Sequence, residues 1–126
     1  MIVTDERVAA FVSERVGASI CPPYTAMGIE RDGEIAAGVL LHCFEGHAVH
    51  VTAAGKGWGR GFIRAVGRYA FGQLGCERIT ITTEQPSVVR YAERLGGEFE
   101  GVLRSQFGPG RDGVVVGILK ADFRLT

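Results

Sequence analysis

The stretch His47 to Leu74, HAVHVTAAGKGWGRGFIRAVGRYAFGQL, decides how the 126-residue chain is read. Its opening, His47 to Ala54, has the β-branched content of a strand. Its close places Phe62, Ile63, Val66, Ala70, Phe71 and Leu74 every three or four residues, which predicts an amphipathic helix of about four turns over Arg60 to Leu74. Between them lies Gly55-Lys56-Gly57-Trp58-Gly59-Arg60-Gly61. Glycines let successive N–H groups turn toward one point, and the helix N-terminus adds partial positive charge, so a phosphate or pyrophosphate would be stabilised there. The plain alternative is a glycine-rich connection with no ligand. Neither a P-loop, Gly-x4-Gly-Lys-Ser/Thr, nor a dinucleotide Gly-x-Gly-x-x-Gly with its later acid is present.

Working outward, Thr4 followed by Asp5 and Glu6 reads as a helix cap with acids in the first turn, and Val8, Phe11, Val12 and Val16 continue it to Gly17. Pro22-Pro23 makes Ala18 to Tyr24 a loop. Thr25 to Glu30, Glu34 to Phe44 and His47 to Ala54 are three antiparallel strands, joined by tight turns at Asp32-Gly33 and Glu45-Gly46. Beyond the long helix, Arg78 to Thr83 (RITITT) is a strand, Pro86 to Leu95 a helix, and Phe99 to Arg104 with Val114 to Lys120 a final strand pair around the turn-rich Phe107 to Gly113. The order predicts one α/β (α+β) domain over 1–126, a mixed and mostly antiparallel sheet of about six strands flanked by helices. Its central strand-helix-strand unit should set His47 to Ala54 parallel to Arg78 to Thr83.

Composition narrows the function. Apolar residues make up 46% and charged residues 22%, an ordinary globular mix. Fourteen Lys and Arg balance fourteen Asp and Glu, so no overall positive field argues for a nucleic-acid partner or an anionic membrane. The polar Met1 to Arg7 is no signal peptide, and no apolar run approaches the roughly 20 residues of a membrane span, which leaves a cytoplasmic address as the expectation. Cys21, Cys43 and Cys76 lack metal or redox spacing and read as buried free thiols. A tight Glu45-Gly46 turn would pair Leu41 with His50 and His42 with Val49, splitting His42 and His47 from His50 and Cys43 across the sheet, so no metal site is expected.

Two segments carry a resemblance. Gly-Lys-Gly-Trp-Gly-Arg-Gly-Phe-Ile-Arg-Ala resembles the pyrophosphate loop of the GNAT superfamily of acyl-CoA-dependent N-acyltransferases, whose pattern is Gln/Arg-x-x-Gly-x-Gly/Ala. Gln85 to Gly97, QPSVVRYAERLGG, resembles that family's closing helix, Asn-x-x-Ala-x-x-x-Tyr-x-x-x-Gly-Phe. The likeness spans roughly Tyr24 to Lys120 and includes the order of elements. It implies a GNAT-like sheet splayed between its fourth and fifth strands, with the pantetheine arm bonded to strand backbone in the gap. On that reading Gly55, Lys56, Gly57, Trp58, Gly59 and Arg60 cradle pyrophosphate. Val51, Thr52 and Ala53 offer backbone groups to the arm, given a family-relative deletion before the loop. Gln85 takes the place of the family's Asn.

The departures concern catalysis. Ala54 stands where Gln or Arg is usual, Thr80 where a carboxylate base sometimes stands, and Ala92 where a Tyr protonates the departing thiolate. Glu84 and Tyr91 are the nearest substitutes and the candidate catalytic pair; the alternatives are a solvated carboxylate and a packing aromatic, Tyr91 being turned about 100° from Ala92. His50 offers a proton acceptor through water or a structural hydrogen bond. Arg64 and Arg68 extend a basic stripe from Arg60 that reads as a solvated helix face. The expectation is transfer of an acetyl or similar acyl group from acetyl-CoA to a small-molecule or peptide primary amine, with a homodimer completing an open pocket. The alternative is a catalytically silent module that binds CoA or a protein partner.

Overall fold

The computed structural model describes residues 1–125. Along the chain run β1 (Ile2–Val3), α1 (Glu6–Val16), β2 (Tyr24–Arg31), β3 (Glu34–His42), β4 (Ala48–Gly55), α2 (Arg60–Gly67), β5 (Arg78–Thr83), α3 (Pro86–Arg94), β6 (Glu98–Leu103) and β7 (Gly113–Leu119). The strands form one sheet in the order β1-β2-β3-β4-β5-β7-β6. Every pairing is antiparallel except β4 with β5, which is parallel as the strand-helix-strand order predicts.

Helix α1 packs on one face of the sheet, where Val8 and Val12 meet Leu40 and Ala54. Gly28 and Gly38, paired across β2 and β3, make room for it: a Cβ would lie 2.6 Å from Val8 Cγ2 at Gly28 and 2.8 Å from Val8 Cγ1 at Gly38. The other face carries α2 and α3, with Phe62, Val66 and Ala92 over Val39, Val51, Ile79 and Ile118. Leu40, Ile118, Val8 and Val12 are among the largest fully buried side chains, each contributing on the order of 1.5–3 kcal/mol.

Several expectations change. The first helix is capped by Asp5, whose Oδ1 accepts from Arg7 N–H at 2.9 Å, rather than by Thr4. The sheet has seven strands because Ile2 and Val3 pair with Ile29 and Gly28. The long helix is α-helical only to Gly67 and continues as a π-helical segment over Arg68–Gln73, with the Phe123 ring seated where a side chain at 67 would begin. Only Cys76 is buried; Cys21 and Cys43 are exposed.

The β3–β4 connection departs most. It is a five-residue link over 43–47, with Cys43 and Gly46 at positive φ and Glu45 N–H donating to Ala48 O at 2.9 Å. The register therefore pairs Leu41 with Val51 and His42 with His50. A one-residue slip changes which face a side chain takes, so His42 and His50 share a face, with ring centroids 5.9 Å apart.

Candidate active site between the parted strands

The parallel ladder joins Ala48, Val49, His50 and Val51 to Arg78, Ile79, Thr80 and Ile81, and stops there. Strand β4 runs on to Gly55 beside β3 and β5 to Thr83 beside β7, so the C-terminal ends of the two strands part. Beyond the ladder the backbone of Ala53 faces the gap without a partner on β5, while that of Thr52 turns to Leu40 of β3, the side to which Lys56 N–H also donates. Unpaired strand edges hydrogen-bond readily to another extended chain.

A cavity lies on each side of this gap. The larger, about 400 Å³, sits on the α2 and α3 face and is walled mainly by hydrocarbon from Val51, Ile63, Val66, Ile81 and Val88, with Tyr91. The smaller, about 270 Å³, sits on the α1 face between Val16, Thr82, Glu84, Gln85 and Phe107. Ala53, Gly55 and Lys56 border both, so the two approach each other at the parted end of β4.

At that end the chain turns through Gly55, Gly57 and Gly59, all at positive φ (98°, 81° and 56°). Lys56 N–H donates to Ala36 O at 3.2 Å, and Ile63 N–H closes the first helical bond to Gly59 O at 3.2 Å. The amides of residues 57–62 have no acceptor among the described residues, the α2 N-cap has no side-chain bond and the first turn holds no acid. With Lys56 and Arg60 alongside, these amides present an anion site of the kind a helix N-terminus supplies. Arg31, from the end of β2, braces the loop by donating to Gly57 O at 3.1 Å.

The expected site residues divide between these features. Val51, Ala53, Gly55, Lys56, Gly57, Trp58 and Tyr91 all line the larger cavity, with Trp58 stacked on Phe62 at 5.9 Å. Gly59 and Arg60 form the helix start. Thr52 turns its side chain to the α1 face, where His42 Nε2 meets Thr52 Oγ1 at 2.8 Å. Gln85 lines the smaller cavity, not the larger. Tyr91 lies in the same cavity wall as the buried Ala92, with Arg94 over its ring at 5.4 Å.

Glu84 requires a correction. Both its oxygens are engaged by Arg111, Oε2 by Nε at 2.9 Å and Oε1 by Nη2 at 2.6 Å. The guanidinium holds the carboxyl below its ordinary range, so Glu84 is a weak proton acceptor in this arrangement. His50 pairs with Thr80 in the ladder, and neither His42 nor His50 lines either of these two cavities. Burial, and then His50, keep His42 below the ordinary histidine value.

Sequence reasoning missed Arg31, Arg111, Arg15 and Phe107. Each reaches the site from a distant element, and none carries a local motif; the strand register alone places Arg31 beside the loop, since Ala37 pairs with both Ile29 and Gly55.

A sheet parted between parallel strands, with an amide-rich loop and helix at the parting, is the GNAT-like architecture that the sequence resemblance implied. Solved structures bear this out. A mutant form of the spermidine/spermine N-acetyltransferase SpeG from Vibrio cholerae aligns with a TM-score of 0.73 at 18% identity, covering 96% of this chain and 95% of that one. The dodecameric form of the same V. cholerae enzyme aligns at 0.71 and 18%, covering 96% and 94%. A chimera of V. cholerae SpeG and hSSAT aligns at 0.64 and 22%, covering 78% and 68%, and a second chimera is covered over 66% of its length. No family model and no curated protein matches the chain. No helix among the described residues is long and apolar enough to cross a membrane.

Proposed function

We propose that the chain is an N-acyltransferase that holds an acyl-CoA, acetyl-CoA being the simplest, in the larger cavity and receives a primary amine from the smaller one. The observation that carries this reading is the meeting of two cavities at the parted end of β4, directly below the open amides of the glycine loop. The residues suit such a donor: amides 57–62 with Lys56 and Arg60 suit a pyrophosphate, the open backbone edge at Ala53 suits an amide of its arm, and the apolar wall suits its methylenes. When bound, the donor supplies a thioester whose carbonyl carbon gains a C–N bond from the neutral amine as its C–S bond breaks, the nitrogen giving up a proton and the sulfur taking one. We assign Tyr91 to donate that proton to sulfur from the cavity wall. Glu84 instead holds Arg111, and the nitrogen's proton leaves to water in the smaller cavity. Catalysis then rests on positioning rather than on a dedicated base.

The tie on Glu84, with Thr80 and Ala92, favours one second reading: a silent module that binds CoA or a protein. A homodimer completing the smaller cavity, in the cytosol, belongs to the first proposal; a strict monomer by light scattering removes the dimer. The primary test is calorimetric titration with acetyl-CoA, wild type against Gly61→Glu, which sets a carboxylate in the first turn of α2. Binding in wild type and its loss in the folded variant support the donor site. No wild-type binding removes the donor site and leaves only a protein-binding module, and CoA binding without amine-dependent CoA release leaves the silent CoA-binding one.

A further inference from the structure

We infer that the amine acceptor carries an anionic group beside its amine, as an α-amino acid does, and that polycationic amines are poor acceptors. This rests on the two-cavity reading above. Arg15, Lys56 and Glu84 border the smaller cavity; Arg111 neutralises Glu84 and Lys56 is assigned to the donor's pyrophosphate, which leaves Arg15 as the charge an acceptor meets. The Glu84 carboxylate has both oxygens committed to Arg111, whose guanidinium also lies 3.8 Å from where a side chain at Gly17 would begin. No carboxylate in the wall is left to receive a second ammonium. Arg15 stacks over Phe11 at 4.6 Å and has no ion-pair partner among the described residues, which leaves a positioned guanidinium free for a carboxylate.

Three further features agree. Thr82, Thr83 and Gln85 supply neutral polar groups, while Val16 and Phe107 give an apolar wall for a short side chain. About 270 Å³ has room for an α-amino acid, whose amine and carboxylate sit on one carbon. Nearby cations also disfavour the ammonium form of an entering amine, raising the share of neutral nucleophile in a site whose only wall carboxylate is tied up. The acceptor nitrogen forms the new C–N bond and loses a proton, the C–S bond breaks, the thiolate gains a proton, and the acceptor's own carboxylate stays unchanged on Arg15.

The test uses the full chain in two assays: calorimetry on CoA-saturated protein, and CoA release from acetyl-CoA. The titrants are L-alanine, L-glutamate and spermidine. We expect the amino acids to bind at least about tenfold more tightly than spermidine and to show the higher kcat/KM. Arg15→Glu should raise the amino-acid KM at least about tenfold, Arg15→Lys should largely restore it, and Arg111→Gln, which frees Glu84, should lower the spermidine KM. Spermidine preferred in wild type, an amino-acid KM unmoved by Arg15→Glu, or acetyl-CoA binding with no amine accepted each overturns the acceptor inference and leaves the donor site standing. Absence of acetyl-CoA binding overturns both.

Discussion

Two parallel strands run into two helix N-termini at the same end of the sheet, and the two junctions are built to opposite ends. At the β4–α2 junction the amides of residues 57–62 lack protein acceptors and the first turn carries no acid. The β5–α3 junction is closed: Thr83 Oγ1 accepts from Gln85 N–H at 3.0 Å, Pro86 has no N–H to offer, and Val88 N–H bonds Gln85 O at 3.0 Å. Glu84 between them is tied to Arg111. The helix dipole is common to both, so the dipole does not make the site. What distinguishes them is which amides the sequence leaves open, and glycine at three alternate positions opens one while a hydroxyl and a proline close the other.

The sharpest way to break the open junction is at its first residue. Gly55 has φ 98°, and an added Cβ would strike Ala36 O and lie 2.6 Å from Ala37 Cα, both backbone atoms of β3. Gly55→Ala should cost about 3 kcal/mol or more, combining backbone strain with overpacking that cannot relax through a side chain. Urea unfolding measures it, and a cost below about 1 kcal/mol would mean the loop is not held against β3 as described.

Gly61→Glu separates binding from stability. Nothing lies within 4 Å of a Cβ there, and no positive φ is involved. An acid in the first helical turn should leave stability unchanged or raise it by about 0.3–1 kcal/mol. Placed among open amides, it should weaken acetyl-CoA binding about 100-fold, or about 2.7 kcal/mol. Equal affinity in variant and wild type would move the anion elsewhere.

These two positions also show what was legible. The glycine loop, RITITT and Pro86 are local signals whose conformational effects act within a few residues, and β5 lies at Arg78–Thr83 as read. The parting of β4 from β5 came from the resemblance, and the ladder ending at Val51 and Ile81 bears it out. Less was legible where a long-range contact decides. A five-residue link in place of the two-residue Glu45-Gly46 turn reset the His42–His50 pairing, and Arg111 reached Glu84 across 27 positions. Gln85 illustrates the same limit: its alignment with an arm-binding residue says nothing of the face it takes, and it lines the smaller cavity.

At the closed junction the matching change is Thr83→Val, nearly isosteric at a residue only 5% exposed. It deletes the acceptor of Gln85 N–H and should cost about 1–2 kcal/mol, with acetyl-CoA affinity little changed because the donor is assigned to the other junction. A large loss of donor affinity without a stability cost would reverse those roles.

The smallest effect concerns the ion pair that keeps Glu84 from serving as a base. The hydrogen bonds from Arg111 lower the Glu84 pKa from its unperturbed 4.5. For an acid whose folded pKa lies below its unfolded one, the stability it contributes is present above the unfolded value and is lost as pH falls through the folded value. The pair is solvent-exposed, so its contribution is modest and screened by salt. Arg7 lowers Asp5 in the same way, so the wild-type curve alone cannot isolate Glu84. The difference between wild type and Arg111→Gln can, because the Asp5 pair cancels. The urea midpoint of wild type should exceed that of the variant at pH 7, and the gap should close as pH drops below about 4.5. Because the same substitution removes what lowers Glu84, the variant should lose any gain in spermidine affinity at a higher pH than the one that closes the gap; a gain that persists with Glu84 protonated would mean Arg111 repels the polycation directly, without Glu84 as intermediary.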